Sequence, residues 1–461
     1  MRSRFILVVL VVYAAVIGVR TAGFGVVWDD RPLVQEAELA PVGAALRAAW
    51  TSDFWSLAPE TDRFDSGMYR PVVTTTYIVE RWAGWGSGAA HVVNLVIHLV
   101  VVILVGLLAA ELGLPAVWAG LIFLVHPHAS GLLGNVAART DLLATLGVVG
   151  ALTLVCRQRL GWGAVVLALG ALSKETALVG VVLWWWLDWG SIRPNLKRGV
   201  WPLLAVGLVL GLRWIVVGPV PAMQLEGNSG PFVGLTSTGW AYLDLLVPRD
   251  VGPWPAPHLP WPGWLGLVIA LLLSRWSRIG AAWVLICWLP MAGWLPLEVR
   301  ESRSLLYLPA VGIALIGARM MKGAPRPAVM LVSVALLGLA GLQYRALSRW
   351  SDPLTLWTWA VEVNPTDPLP QVNLGRVYAE AGRLDQARAH YTNAASLAQA
   401  RRDATFFVKA AYSLGELSLL SGDPEGASVY FMDAVSVAGA GNHPPSEQRL
   451  RELSAPEKEP E

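Results

Sequence analysis

The chain has 461 residues and a mean hydropathy of +0.50, and only 15% of its residues are charged. A water-soluble domain cannot hide that much apolar surface, so most of the chain must be solvated by lipid. The formal charge of +2 is too small for a nucleic-acid partner, and the two cysteines, Cys156 and Cys287, lie too far apart for a readable disulfide framework or zinc site. The 24 tryptophans fit a membrane solvent, because indole rings favour the interface, where the ring is buried and the N–H stays wet.

Apolar segments fall near 5–19, 89–110, 116–126, 140–156, 162–172, 176–189, 200–217, 263–274, 280–297, 304–318 and 327–343. They predict an all-α polytopic membrane protein with about 11 transmembrane helices over residues 1–344. Several are shorter than the ~20 residues an upright span needs, so flanking polar residues must sit at membrane depth or line a cavity. With the N-terminus and its Arg2 and Arg4 cytoplasmic, alternate loops carry Arg157 and Arg159, then Arg193, Lys197 and Arg198, then Arg275 and Arg278, then Arg319, Lys322 and Arg326. Only the loop at Glu111 lacks a basic residue. The opposite loops are longer and hold most of the carboxylates, including the whole 20–88 segment. This topology predicts a multi-pass inner (plasma) membrane protein whose chain after 344 is periplasmic or exoplasmic, with the first segment kept as an anchor rather than cleaved as a signal peptide. The outer loop 218–262, rich in Pro, Gly and Trp, is read with a re-entrant or surface helix near 236–247.

After Tyr344 the apolar runs stop and a helical repeat begins. Leu374, Gly375, Tyr378, Gly382, Ala387, Tyr391 and Ala394 follow the tetratricopeptide pattern, in which small residues let two antiparallel helices touch. A second copy reads Leu414, Gly415, Gly422, Ala427, Phe431 and Ala434, and a partial copy precedes both at Trp357, Ala360 and Pro365. The repeats predict an α-solenoid over 345–441 followed by a disordered tail, 442–461. So few repeats are marginal alone, so the unit is expected to pack on the membrane body or on a partner protein, with Tyr378, Tyr391 and Trp357 as candidate partner-binding residues.

Polar groups out of place in lipid gather on the outer side of this topology. They are Asp29 and Asp30, "YRP" at 69–71, His91, Asn94 and His98, "HPH" at 126–128, "ARTD" at 138–141, "SKE" at 173–175 and "EVRESR" at 298–303. Each alone has a plain structural reading. Arg70 can bind lipid headgroups, Lys174 and Glu175 can form a local pair, Asp141 can cap a helix, and His91 and His98, two turns apart, can be packed and hydrogen-bonded. Together they predict a functional cavity with carboxylates facing cations. A sugar carried on a lipid phosphate needs such a place, because its anionic leaving group needs cations and N–H donors while the acceptor hydroxyl needs a base. Adjacent residues on an extended segment point opposite ways, so Asp29 and Asp30 are expected to have separate jobs. A divalent ion between them is possible only if both face the cavity, and the chain offers no obvious further oxygen ligands.

The ordered set "VWDD", "SDFW", "YRPVVTTTY", "HVVNLVIH", "FLVHPH", "ARTDLLA", "LSKETAL" and "LLYLPAVG", followed by the repeats, resembles the transmembrane-and-tetratricopeptide O-mannosyltransferases and their bacterial relatives. That family belongs to the GT-C superfamily of polyprenyl-phosphate-dependent glycosyltransferases. The resemblance implies a GT-C fold with a catalytic carboxylate in the first outer loop, at Asp29 or Asp30 with Asp29 favoured. It implies a lipid-linked hexose such as mannose as donor, and a protein Ser or Thr as acceptor. Arg139 and Lys174 match basic positions of the family motifs and Arg303 approximates another. With His126, Arg70, Glu175 and Arg300 they make the expected lipid-phosphate and substrate site. Two departures stand out. In "HPHASGL" Ala129 and Gly131 replace a polar residue and a Glu of the family pattern, with His128 as a shifted substitute, and near 300 Glu301 and Arg303 are separated where the pattern has Glu-Arg adjacent. The alternatives to this reading are an inactive relative kept as a membrane scaffold, or a transferase acting on an envelope lipid or glycan. The Ala, Gly, Val and Arg usage suggests a bacterium with GC-rich DNA.

Overall fold

Glycine and proline place the breaks between helices in this chain. The computed structural model describes residues 2–35, 41–58, 67–189, 196–218, 231–247, 262–288, 303–439 and 443–454. Among these no strand forms, and the fold is all-α with tetratricopeptide repeats, as the sequence predicts. Contacts divide the chain into two compact units, Met1–Ser351 and Asp352–Glu461.

The first unit contains α1 (Arg2–Thr21), α2 (Val42–Thr51), α3 (Pro71–Trp82), α4 (Ser87–Glu111), α5 (Ala116–Leu124), α6 (Ala129–Gly134), α7 (Arg139–Cys156) and α8 (Leu160–Ala171). It continues with α9 (Val179–Trp189), α10 (Leu196–Val217), α11 (Pro231–Leu246), α12 (Gly263–Ser274), α13 (Arg278–Trp288), α14 (Tyr307–Met320) and α15 (Arg326–Leu347). Each apolar segment read from the sequence coincides with one of these helices; the last part of the segment 280–297 lies outside the described residues. Four helical stretches, Ser87–Glu111, Val136–Cys156, Gly199–Val217 and Arg326–Trp350, are long and apolar enough to cross a membrane, and six further apolar helices are shorter.

The stretch leading into α7 is the centre of this unit. Of its apolar window 78% is buried, against 11% for Arg326–Trp350, whose Met330, Leu331, Val334 and Leu337 stay exposed. Helices α7 and α8 touch backbone to backbone: a Cβ on Gly147 would come within 2.5 Å of the Gly170 Cα. That approach sets the Asp141 end of α7 beside the Lys174 turn that follows α8.

Pro127 separates α5 from α6, and the break leaves carbonyls without helical partners. Gln343 on α15 donates to the carbonyls of Leu124 and His126, both at 3.1 Å, and Tyr13 on α1 donates to the Gln343 Oε1 at 2.9 Å. His98 lies between the Leu124 carbonyl and the Tyr307 hydroxyl, at 3.3 and 2.7 Å, while His91 joins the carbonyls of Leu133 and Gly25. Polar side chains from four helices thus meet the backbone groups around this break.

The second unit contains α16 (Pro353–Val363), α17 (Pro368–Glu380), α18 (Leu384–Arg401), α19 (Ala404–Leu420), α20 (Pro424–Ala438) and α21 (Pro444–Ser454). Asp352, Asp367, Asp403 and Asp423 each accept a backbone N–H at a helix start, and in three of the four a proline follows at the first helical position. The repeat is legible in the packing: Gly375 lies under the Tyr391 ring and Gly415 under the Phe431 ring, each pair sixteen residues apart.

Gly147→Val is expected to force α7 from α8, lowering stability by about 1–3 kcal/mol. Thermal unfolding of the full chain in detergent reads the loss.

Candidate active site

The N-terminal end of α7 is fixed by two buried acids. Asp30, fully buried in the turn after α1, accepts the Ala137 N–H at 2.6 Å and the Val27 N–H at 3.4 Å, one on each carboxylate oxygen. Asn135 shares the Ala137 N–H at 2.9 Å. Two residues on, Arg139 is fully buried and turns inward. Its guanidinium donates to both oxygens of Glu80 on α3, to Asn94 Oδ1 on α4 at 2.8 Å, to the Thr76 hydroxyl at 2.9 Å and to the Ala90 carbonyl at 3.0 Å. All five N–H groups of the arginine are thereby used.

A second pair of staples lies on the turn after α8. Lys174 binds both oxygens of Asp141 at 2.7 and 2.8 Å, and its neighbour Glu175 binds Arg70 at 3.0 Å. The dipeptide thus ties α7 to the residue that begins α3. Arg70 in turn lies 5.3 Å over the Phe54 ring. Phe54 is held because Asp53 caps its short helical turn, accepting the Trp55 N–H at 2.9 Å and the Met68 N–H at 3.0 Å.

These elements enclose a cavity of about 190 Å³. Asp29, Asp141, Lys174 and Arg70 supply its charge; Ser130, Thr140, Asn135 and His128 supply further polar groups; Trp28, Phe54, Trp55 and Trp350 form aromatic wall. Every lining residue comes from the end of a helix or the connection beside it, all within the first unit. Such a site offers a half-buried carboxylate beside two cations that carry carboxylate partners, a layout suited to moving a proton next to an anion.

The structure separates the residues that the sequence grouped. Asp29, Arg70 and Lys174 line the cavity, and Glu175 holds Arg70. Asp30 does not line it: its two oxygens accept backbone N–H groups of Val27 and Ala137, and of the acidic pair it is Asp29 that faces the cavity. Arg139 is likewise corrected from a phosphate ligand to a structural pin, since a lipid phosphate there would have to displace Glu80, Asn94, Thr76 and Ala90 together. His126 does not line the cavity; its Nε2 lies 3.1 Å from the Leu245 carbonyl, and it stacks at 5.0 Å on His128, which does line it. The backbone of Arg303 opens the turn that carries the cavity residue Ser304, while the Arg303 side chain, Arg300 and Glu301 lie outside the described residues.

Of the proposed partner contacts, Trp357 and Tyr391 are buried in the repeat core, where they hold helices together. Tyr378 is half-buried, stacking on His390 at 5.3 Å beneath the Arg383 guanidinium.

Sequence reasoning missed Glu80 and the aromatic wall. Glu80 carried a signal, being a carboxylate within "TTTYIVERW" on a helix that otherwise buries apolar residues. Trp350 carried none, because its seat depends on Gly131 and Gly134 of α6: a Cβ at Gly134 would fall 2.3 Å from the Trp350 Cβ, and one at Gly131 would fall 3.3 Å from its ring.

A tetratricopeptide-repeat family model matches residues 368–391. A protein O-mannosyl-transferase of Caenorhabditis elegans is 24% identical over 419 residues, covering 80% of this chain and 59% of that protein. The protein O-mannosyl-transferase Tmtc2 of Drosophila melanogaster is 27% identical over 256 residues, covering 50% of this chain and 27% of that protein. The chain is therefore related to the transmembrane-and-tetratricopeptide O-mannosyl-transferases. It spans little more than half the length of the first relative and about a quarter of the second. No solved structure matches. With its apolar helices, this kinship makes it a multi-pass membrane protein.

Removing one side of the Arg139 pair, as in Glu80→Gln, leaves a buried cation short of its partner and is expected to cost about 3 kcal/mol of stability, read by thermal unfolding in detergent.

Burial pushes the Asp30 carboxyl up to about 7, against the opposing pull of the Ala137, Val136 and Val27 N–H groups and of Arg139. The folded state therefore holds the proton more tightly than the unfolded chain, whose Asp titrates near ~3.9, and stability falls as pH rises from about 4 through 7. Asp30→Asn, which does not titrate, is expected to flatten that part of a melting-temperature profile against pH.

Proposed function

We propose that the chain is a GT-C-type glycosyltransferase that moves a hexose, such as mannose, from a polyprenyl-phosphate carrier to a Ser or Thr hydroxyl of a protein. The observation that carries this reading is the cavity where Asp29 stands with Arg70 and Lys174. The kinship supports it, since both relatives are named protein O-mannosyl-transferases.

In this reading the acceptor oxygen attacks the anomeric carbon while the bond from that carbon to the phosphate oxygen breaks. Asp29 takes the hydroxyl proton as the new bond forms. The departing prenyl phosphate leaves as an anion that Lys174 and Arg70 stabilise, so it needs no general acid. Asp141 and Glu175 keep the two cations in place between turnovers, and the phosphate exchanges with them for part of the cations' coordination. Asp30 and Arg139 act at a distance, by fixing the α7 turn that carries Thr140 and Asp141 into the cavity. The cavity faces the periplasmic or exoplasmic side, with the N-terminus cytoplasmic, and the repeats on that same side recruit the acceptor protein.

A scaffold reading draws on one specific observation: the Trp350 ring fills the space a side chain at position 131 would enter, where the family pattern has Glu. One experiment separates the two. Cells carrying wild type, Asp29→Asn or a deletion, at matched protein levels, are compared by mass spectrometry of envelope glycoproteins. The transferase predicts loss of a specific hexose modification in both the variant and the deletion, with turnover down about 10²–10⁴-fold in vitro for Asp29→Asn. Glycans unchanged in both, with a membrane complex lost only in the deletion, establish the scaffold instead.

A further inference from the structure

The geometry points to Trp28 as the residue that stacks on the pyranose ring of the transferred sugar; this rests on the glycosyltransferase reading above and adds to it the means of recognising the sugar. Trp28 has φ 51, in the left-handed region that aromatic residues rarely enter. Among the described residues only Gln158 and Arg402 are other non-glycines with positive φ; Gln158 follows the C-cap of α7 and Arg402 is the C-cap of α18, where a left-handed residue closes the last turn. Trp28 ends no helix, since α1 stops at Thr21.

The surroundings impose the conformation. The Asp30 N–H donates to the Val27 carbonyl at 3.0 Å, the Val27 N–H returns to the Asp30 carboxylate at 3.4 Å, and that carboxylate is tied to Ala137. The left-handed step at position 28 has a consequence for the site. On an extended strand Trp28 and Asp29 would face opposite ways, whereas here both line the cavity and Asp30 alone is turned into the protein. The backbone thus places an indole next to the proposed base.

The chemistry of the wall names the ligand class. A pyranose carries C–H bonds on its flat faces and hydroxyls around its rim. Trp28, Trp55 and Phe54 offer aromatic surface for the former. Asp29, Thr140 and Ser130 offer polar groups for the latter. A lipid phosphate by itself would use the cations and leave the rings idle, and an acyl chain would have no use for the carboxylates.

The test is direct binding by isothermal titration calorimetry to the full chain in lipid nanodiscs. The probes are a short-chain prenyl-phosphate mannose, the corresponding glucose compound and the bare prenyl phosphate. Trp28→Asn keeps a residue type that tolerates left-handed backbone and removes the ring. It is expected to weaken binding of a hexosyl probe about tenfold and leave bare prenyl phosphate within about twofold. Trp28→Phe is expected to recover hexosyl binding to within about threefold, and it guards against misfolding of the asparagine variant. Equal weakening of all three probes, no weakening of any, or no hexosyl binding by the wild type overturns the assignment. So does a rise in KM for the acceptor peptide with binding of the sugar donor unchanged. The parent reading fails separately: wild type that binds the hexosyl probe through Trp28 yet transfers it to no acceptor protein retains the sugar site and loses the transferase.

Discussion

The attachment of the Asp30 carboxylate to the Ala137 N–H is the interaction on which the site depends. It joins the turn after the first helix to the start of the most buried of the four long apolar helical stretches, across more than a hundred residues of sequence. Because the same aspartate also closes the turn from Val27, its anchoring fixes the position of Trp28 and Asp29. The Arg139 cluster does the complementary work, fastening the next turn of α7 to α3 and α4. A charged group buried this deeply is tenable because each of its hydrogen-bonding positions is filled.

The ionic layout of the cavity follows from solvent. Arg70 and Lys174 have side chains only 13% and 14% exposed, so an unpaired cation at either place would carry a desolvation cost with nothing to offset it. Carboxylates on neighbouring elements meet that demand, and both pairs use the turn between α8 and α9. Two adjacent residues of opposite charge, each reaching a different element, make that turn a clamp whose geometry is set before any ligand arrives. Preorganised charge of this kind suits a reaction whose leaving group is an anion.

The family pattern and this chain part company at α6. There glycines at 131 and 134 admit the Trp350 ring, and His128, just before the helix, lines the cavity. The indole fills volume and offers an aromatic face where a glutamate would have offered charge, making the wall at this point apolar. His126 and His128 stack, and their Nε2 atoms approach the carbonyls of Leu245 and Asp244 near the end of α11, so the Pro127 break is braced from a second direction.

Much was legible in the sequence because it depends on local pattern and composition. The apolar runs, the breaks at glycine and proline, the Asp-Pro helix starts of the repeats and their small-residue spacing follow from solvent and backbone geometry, which act on a few neighbouring residues at a time. Asp29, Arg70 and Lys174, which the sequence grouped as candidates, line one cavity. Tertiary structure alone decided the roles. Which of two adjacent aspartates faces the cavity depends on a left-handed residue at Trp28 and an N–H at Ala137; whether Arg139 meets a ligand or a glutamate depends on where α3 packs. Residue type and spacing state what a side chain can bind, whereas the partner it does bind is fixed by which helix end is brought within about 3 Å of it, and that distance is set by packing across the whole unit.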